Sequence, residues 1–538
     1  MCSTDIDVDK TWAARSLYGG RAAIFRAMPK TARGGWKGRF ARPWAARVRR
    51  QDWARNADPG VAQARVLSEL LNRAADTVFG RDHGFAEMAA LPDAAAQAEA
   101  FRRAVPVRDY EGLKGYVERV VAGEHDVLWP GLPKYFCKTS GTTSGAKYIP
   151  LTEDSLPNHI GAARRALLHH VARTGRADFV GGKVIFLQGS PTLTDTEGGV
   201  PLGRLSGIVA HHIPPYLQRN RLPSWETNCI EDWEEKVDAI VRETAGEDLR
   251  LISGIPSWVQ MYFERLLEYT GKANVLEVFP NFSLFVFGGV AYAPYADRFR
   301  ELIGGEVPRV ETYPASEGFL AYQDGEPGEG LLVNADDGLF LEFIPADEYG
   351  KPDARRLGLG EVEMGVNYAV VITSNAGLWA YDIGDTVRFV SLAPARVLVT
   401  GRIKHFTSAF GEHVIAEEVE GAMAKAVAEQ GGQVVEFHVA PEVNPADGLP
   451  YHEWFVEFAD MPSDPEAFAQ ALDAELQERN PYYRDLITGS VLRQAVLNPL
   501  PQGAFHDAMA RRGKLGGQNK VPRLANDRAM AEQLLGHD

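Results

Sequence analysis

Hydroxyl side chains and glycines are concentrated in one short stretch, Cys137–Pro150, which reads Cys-Lys-Thr-Ser-Gly-Thr-Thr-Ser-Gly-Ala-Lys-Tyr-Ile-Pro. Between Lys138 and Lys147 no apolar side chain is larger than alanine. Such a composition is unsuited to a core, but it lets backbone N–H groups wrap around phosphate. The stretch is not a Walker loop, because the order Gly-x-x-x-x-Gly-Lys-Ser/Thr is absent. We interpret it as a phosphate-binding loop, with a flexible surface turn as the alternative.

Three further groups of chemically capable residues follow apolar runs that are typical of strands. Phe287–Val290 ends one run in two glycines, where backbone can approach a ligand closely or form a tight turn. Thr312–Gly318 follows another, and its Glu317 could bind a divalent metal, cap a helix or face solvent. Asp385 follows Gly384, and a carboxylate there can accept hydrogen bonds from both ribose hydroxyls or serve only in a turn.

Composition limits the classes of protein that this chain can belong to. A chain of 538 residues is longer than a single hydrophobic core usually accommodates, so we expect at least two domains. A net charge of −15 argues against a general binder of nucleic acid or membrane surfaces, which are themselves negative. No apolar run reaches the roughly 18 residues that a membrane span needs. The cysteines Cys2, Cys137 and Cys229 form no disulfide or metal pattern, which favours a reducing, cytoplasmic location.

The first 55 residues differ from the rest in charge. They hold thirteen Lys or Arg against four Asp or Glu, and four tryptophans are interspersed among them. An arginine-rich leader could be a targeting segment or a nucleic-acid arm, but the continuous apolar region of a signal peptide is missing. We expect residues 1–60 to be a basic extension that packs on the acidic body of the protein.

The remaining chain alternates between helical and strand patterns. Apolar residues at helical spacing predict a helix over Val61–Gly80, with Gly80 as its left-handed stop. Downstream, short apolar runs alternate with amphipathic segments, which predicts an α/β fold with a mixed or parallel sheet covered by helices. A boundary near residue 401 would separate a large domain, residues 61–401, from a small α+β domain, residues 402–538.

Four phrases, in this order, resemble those of the Gretchen Hagen family of acyl-acid amido synthetases, a branch of the adenylate-forming enzymes. They are Thr-Ser-Gly-Thr-Thr-Ser-Gly at 139–145, Tyr-Pro-Ala-Ser-Glu-Gly at 313–318, Tyr-Asp-Ile-Gly-Asp at 381–385 and Gln-Asn-Lys-Val-Pro-Arg at 518–523. Val105–Tyr110 is a supporting phrase. The resemblance runs from about Val61 to Leu524, and it implies a large domain followed by a small, mobile one.

The resemblance implies a two-step reaction that uses ATP and Mg²⁺. A carboxylic acid and ATP first give an acyl-adenylate and pyrophosphate, and the amine of an amino acid then displaces AMP to form an amide. Catalysis of this kind depends on positioning and on neutralising charge. An acyl-CoA ligase with the same first step, or an inactive binding protein of the same fold, is the alternative. Neither nucleic acid nor a membrane is an implied partner, and the oligomeric state is left open.

By position, the resemblance also implies roles for individual residues. Glu317 would hold Mg²⁺, Asp385 the ribose hydroxyls, and Arg402 a ribose or phosphate oxygen. Lys520 would be the mobile lysine that neutralises charge at the adenylate. Lys514 and Lys404 are alternatives for this role, and Lys404 would lie at the hinge. The remaining nucleotide contacts would come from the phosphate loop and from the second phrase, namely Ser140, Gly141, Thr142, Thr143, Ser144, Gly145, Tyr313, Ala315 and Ser316.

We expect the acyl pocket beside the turn that begins at Gly288. Aromatic residues there suit a flat or aliphatic acid, although ordinary core packing explains each of them equally well. One departure from the plant members is Asp382, which stands where they usually carry arginine. The pocket candidates are Trp258, Phe287, Gly288, Gly289, Val290 and Tyr292.

Overall fold

A computed structural model describes residues 36–139, 147–213, 218–230, 233–289, 292, 295–403, 414–442, 445–488, 492–512, 521–525 and 528–536. The chain begins its described part with a layer of helices. Asp58 caps the second of them by accepting a hydrogen bond from the N–H of Val61, and Pro59 occupies its first position, where no N–H is needed. The helices are α1 Trp36–Arg55, α2 Pro59–Ala74, α3 Val78–Asp82, α4 Phe85–Ala89, α5 Ala94–Ala104 and α6 Tyr110–Val121.

The helix predicted over Val61–Gly80 is interrupted. Helix α2 ends at Ala74 and α3 begins at Val78. The break occurs because the Thr77 hydroxyl forms hydrogen bonds with the backbone on both sides of it. Its hydroxyl donates to the carbonyl of Ala74 at 2.7 Å and accepts from the N–H of Gly80 at 3.0 Å. Gly80 therefore lies inside α3, and the prediction that it is a left-handed stop was wrong. Glycine is needed there because a Cβ atom would lie 2.0 Å from the carbonyl oxygen of Ala74.

Helix α1, the described part of the basic extension, packs on the large domain as expected from its charge. The indole N–H of Trp53 donates to Asp324 at 2.8 Å, and Arg55 lies 3.6 Å from Asp336. Its one buried carboxylate, Asp52, bonds His169 at 2.9 Å. Acidic side chains of the body thus hold the end of the basic segment.

An antiparallel hairpin brackets the proposed phosphate loop. Its strands β1 Tyr135–Thr139 and β2 Lys147–Leu151 pair so that Thr139 lies opposite Lys147. Helix α7 Leu156–Thr174 follows, and a four-stranded sheet in the order β2-β1-β5-β4 includes the hairpin. The next elements are β3 Lys183–Phe186, β4 Thr194–Asp195, β5 Pro201–Gly203, α8 Leu205–Ala210, β6 Arg221–Leu222, α9 Trp225–Asn228 and α10 Trp233–Thr244.

The described residues also form a twelve-stranded mixed sheet, which confirms the predicted fold class. Strands β6, β3, β7, β8 and β9 are parallel neighbours, and the remaining pairs are antiparallel. The order is β13-β12-β14-β15-β16-β11-β10-β9-β8-β7-β3-β6. The elements from β7 to β16 are β7 Leu249–Ser253, α11 Pro256–Thr270, α12 Val275–Val278, β8 Leu284–Gly288, α13 Ala296–Ile303, β9 Arg309–Ala315, β10 Gly318–Gln323, β11 Leu331–Val333, β12 Leu339–Pro345, β13 Leu357–Gly358, β14 Asn367–Ser374, β15 Tyr381–Leu392 and β16 Ala395–Arg402.

The C-terminal elements form a separate small sheet packed on helices. Its order is β17-β18-β19, and its core has its own cluster of buried residues around Trp454. Within the described part of the chain, no helix combines the length and the apolar composition that a bilayer crossing requires. The elements are α14 Ala416–Gln430, β17 Gln433–Glu442, β18 Tyr451–Asp460, α15 Pro465–Arg479, α16 Pro481–Thr488, β19 Val496–Leu500, α17 Ala504–Arg511 and α18 Ala529–Leu534.

Candidate active site

The glycine pair and the second phrase meet where β8 and β9 end. These strands run parallel with Gly288 opposite Thr312, so their carboxyl ends share one edge of the sheet. The hydroxyl of Thr312 donates to the carbonyl of Phe287 at 2.9 Å. A Cβ atom on Gly288 would lie 2.4 Å from the carbonyl oxygen of Thr312, and Gly289 has φ +82°. Both positions therefore need glycine.

Glu317 lies in the tight connection between β9 and β10, beside Ser316, and it is half-buried. Burial, and after it the charge of Glu317, raises the pKa of the Cys137 thiol. The same two causes, in the same order, raise the pKa of the Tyr381 phenol. The carboxylate of Glu317 is thus close to the strand that leads into the phosphate loop and to the first residue of the third phrase.

Asp385 is hydrogen-bonded to a residue 72 positions earlier. The phenol of Tyr313 donates to its Oδ2 at 2.8 Å, and Tyr313 is buried. Asp385 also pairs in register with Arg402, whose backbone is described at the end of β16. The structure therefore brings the second and third phrases and the end of the large domain to one place.

Asp382 does not point to the same place as Asp385. It is buried, and its Oδ1 accepts from the N–H of Gly384 at 2.8 Å. The phenol of Tyr349 donates to its Oδ2. The carboxylate of Asp382 thus stabilises the irregular part of β15 that carries Asp385, where the pairing with β14 shifts register. Asp385 therefore lies within a strand and not in a turn between two strands.

The phrase Val105–Tyr110 pairs with the chain at the start of β15. The N–H of Arg108 donates to the carbonyl of Ala380 at 3.0 Å, and its own carbonyl accepts from the N–H of Asp382 at 2.8 Å. Ala380 has φ +45°, a conformation that residues with a Cβ rarely adopt. Sequence reasoning missed Tyr349 and the role of Arg108, because both act through contacts across long stretches of chain.

The phosphate loop itself lies outside the described residues, although its two ends are fixed by β1 and β2. Lys147 lies 5.9 Å from the ring centroid of Tyr110, and the phenol oxygen of Tyr110 accepts from the N–H of Tyr148 at 3.0 Å. Only the backbone of Arg402 is described. The candidates outside the described residues are Ser140, Gly141, Thr142, Thr143, Ser144, Gly145, Val290, Lys404, Lys514 and Lys520.

The described acyl-pocket candidates lie in one aromatic cluster. Trp258 and Phe287 are buried, and the half-buried ring of Tyr292 is 5.1 Å from that of Phe287. The guanidinium of Arg309 lies 4.5 Å above the ring of Tyr292. These contacts fit either a pocket wall or core packing, so the substrate roles stay predictions.

The described residues include no group of three or more His, Cys, Asp or Glu side chains arranged to hold a metal ion. The charge of Glu317 acts on Cys137, in the strand that leads into the proposed phosphate loop. That environment fits a Mg²⁺ ion bound by one carboxylate together with substrate phosphates.

Three models of one family match the chain in order. They are the GH3 family N-terminal domain over residues 54–228, the central domain over residues 332–402 and the C-terminal domain over residues 417–529. Indole-3-acetic acid-amido synthetase GH3.3 of Arabidopsis thaliana is 22% identical over 569 residues, which covers 90% of this chain and 92% of that relative.

Two solved structures share the fold. AtGH3.15 acyl acid amido synthetase in complex with 2,4-DB has a TM-score of 0.73 at 16% identity, covering 91% of this chain and 96% of that one. A 2-hydroxyisobutyryl-CoA ligase in the postadenylation state, in complex with R3-HIB-AMP, has a TM-score of 0.56 at 13% identity, covering 89% and 92%. The fold is that of the adenylate-forming enzymes, and the three domain models show that this chain belongs to the GH3 family.

Proposed function

We propose that this chain is an acyl-acid amido synthetase, a ligase that joins a carboxylic acid to an amino acid at the expense of ATP. In the first step a carboxylate oxygen of the acid attacks the α-phosphorus of ATP, and pyrophosphate leaves. In the second step the amine attacks the acyl carbon, AMP leaves and the amine gives up a proton. The bond to AMP turns a poor electrophile into a reactive one.

The observation that carries the proposal is the hydrogen bond between Tyr313 and Asp385 at 2.8 Å. It joins two of the four phrases at an edge where parallel strands end, which is where α/β sheets bind ligands. In this proposal Asp385 accepts hydrogen bonds from the ribose hydroxyls of ATP, and the hydrogen bond from Tyr313 orients its carboxylate. Gly288 lets the ends of β8 and β9 approach each other closely at this edge.

Mg²⁺ would be held by Glu317 and by oxygens of the substrate phosphates. When bound, such an ion neutralises the charge that builds up on the leaving pyrophosphate. The half-burial of Glu317 and the effect of its charge on Cys137, in the strand that leads into the phosphate loop, support this role. We further propose that the enzyme works in a reducing compartment, in keeping with its free cysteines Cys137 and Cys229.

A pyrophosphate-release screen tests the function. Purified protein is given ATP, Mg²⁺ and a panel of aryl, indolyl and fatty acids, each with and without pooled amino acids. We expect release with at least one acid, an increase on adding amino acids, and a product with the mass of the amide. Release that no amino acid changes, together with a thioester formed from coenzyme A, would make the chain an acyl-CoA ligase. No release with any acid contradicts the proposal.

A further inference from the structure

The segment that follows Lys520 is attached to the small sheet by a single parallel bridge. The N–H of Val439 donates to the carbonyl of Arg523 at 2.9 Å, and the N–H of Ala525 donates to the carbonyl of Val439 at 3.0 Å. Leu524, between them, is fully buried. Residues 521–525 therefore run parallel to β17 at this point and are attached to the small domain.

The side chain of Arg523 is held rigidly within that domain. Its guanidinium lies 4.6 Å above the ring of Phe437 and forms ion pairs with Glu436 and, at 3.7 Å, with Glu420. The side chain is only 12% exposed. A planar guanidinium held by two carboxylates and a ring has little rotational freedom. The hydrogen-bond partner of its remaining nitrogen, Nη2, is therefore determined by the position of the whole small domain.

That remaining group meets the large domain. Nη2 of Arg523 donates to the phenol oxygen of Tyr295 at 3.2 Å. Tyr295 is buried and immediately precedes α13, at the end of the turn that begins with Gly288. Its N–H donates to the carbonyl of Tyr292 at 2.9 Å, and Tyr292 packs on Phe287 in the proposed wall of the acyl pocket. The hydrogen bond thus joins the acyl-pocket turn to the strand that follows Lys520.

We propose that Arg523 and Tyr295 are a positioning pair, an interdomain latch that holds the small domain where Lys520 can act in the adenylation step. This inference rests on the proposed function and on the role implied for Lys520. Three peptide links separate Lys520 from Arg523, and they span at most about 11 Å between Cα atoms. Fixing Arg523 against Tyr295 would therefore limit how far position 520 can lie from the proposed acyl pocket. Neither side chain takes part in bond making.

Half-reaction kinetics of the full-length protein test the latch. Tyr295→Phe removes the hydroxyl that accepts from Arg523 and keeps the ring. We expect ATP–pyrophosphate exchange with an accepted acid to slow about tenfold in kcat, the range for loss of one hydrogen bond to a charged group, with KM for ATP little changed. Amide formation from a supplied acyl-adenylate should keep its parental rate, because that step does not need Lys520 in the same place.

A double-mutant cycle with Arg523→Lys asks whether the two residues act as one unit. The double variant should lose little more exchange than Arg523→Lys alone, because both single changes break the same bond. Tyr483→Phe is the matched control. It removes a buried hydroxyl that bonds Asp473 at 2.6 Å within the small domain, so it should lower the melting temperature without changing the ratio of the two half-reaction rates.

Three results would overturn the latch: parental exchange in Tyr295→Phe, equal slowing of both half-reactions, or losses that multiply in the double variant. A change in the rate ratio in Tyr483→Phe would also overturn it, because the ratio would then report domain stability. A parent protein that shows no exchange with any acid contradicts the proposed function instead, so the two failures are distinguishable.

Discussion

Two carboxylates three residues apart on β15 have different tasks, and their hydrogen bonds show why. Asp385 accepts from Tyr313 beside the ends of the parallel strands, whereas Asp382 accepts from Gly384 and Tyr349 within β15. Asp385 contributes to nucleotide binding in our proposal, and Asp382 contributes to the shape of the strand that carries it. The resemblance implied the ribose role of Asp385 but gave no role to Asp382.

Replacing Asp385 by alanine should weaken ATP binding. A hydrogen bond to a charged group contributes about 1.5–3 kcal/mol, so we expect KM for ATP to rise by about tenfold or more. The measurement is the initial rate of acid-dependent pyrophosphate exchange at varied ATP. Asp382→Ala is the comparison: it strands the N–H of Gly384 and the phenol of Tyr349 and should lower the melting temperature. An unchanged KM in Asp385→Ala would exclude the ribose role.

At the scale of elements, the site depends on how closely β8 approaches β9. Thr312 bonds the carbonyl of Phe287 across the two strand ends, and Gly288 leaves no space for a side chain between them. A glycine at the end of a strand can mean either a turn or a close approach. At Gly288 the reason is close approach, because β9 packs directly against it. At Gly289 the reason is a turn, because its φ is positive.

Gly288→Ala should therefore separate the two strand ends. Its Cβ atom would lie 2.4 Å from a backbone oxygen, which cannot move without shifting β9. We expect a loss of about 1–3 kcal/mol in the free energy of unfolding, as for other overpacked sites, and a marked fall in pyrophosphate exchange. Gly115→Ala is the control, because this exposed glycine in α6 has no atom within 4 Å of the added Cβ and the change should stabilise slightly. Equal urea denaturation midpoints for Gly288→Ala and the parent would contradict the close approach.

At the scale of the whole molecule, stability depends on two buried histidines of α7. Burial lowers the pKa of His159 and of His170 to about 4. Below the ordinary histidine pKa of about 6.5 these two histidines bind protons in the unfolded chain but stay neutral in the folded protein. The stability that these groups support is therefore complete above about pH 6.5 and is lost progressively as the pH falls toward 4.

We expect the free energy of unfolding, measured by urea denaturation, to fall between pH 7 and pH 5 by roughly 1 kcal/mol per pH unit for each histidine once the pH is below about 6.5. Burial raises the pKa of Glu311 and of Glu418, which acts in the opposite direction as these groups take up protons in the folded state. His159→Gln isolates the histidine contribution and should make the pH dependence shallower. The same slope in the parent and in His159→Gln would show that His159 is not the cause.

The sequence by itself determined the fold class and which residue types could bind a nucleotide. Periodicity predicted strands alternating with helices, and the composition of Thr139–Gly145 and the carboxylate of Asp385 indicated phosphate and ribose chemistry before any contact was known. The nucleotide role of Tyr313–Gly318 was implied only by the resemblance. These features are local, because hydrophobic period and turn composition depend on neighbours a few residues away. Where local signals competed, as at Gly80, the hydroxyl of Thr77 ended the helix earlier than the pattern predicted.

Only the tertiary structure decided which of those residues meet. The bond from Tyr313 to Asp385 crosses 72 positions, and the one from Arg523 to Tyr295 crosses 228 and joins two domains. Such contacts follow from strand order and register. The sheet places β9 and β15 in one layer through strands that come from distant parts of the chain. A periodic pattern fixes which face of a strand is buried, but the choice of neighbouring strand depends on packing summed over the whole core.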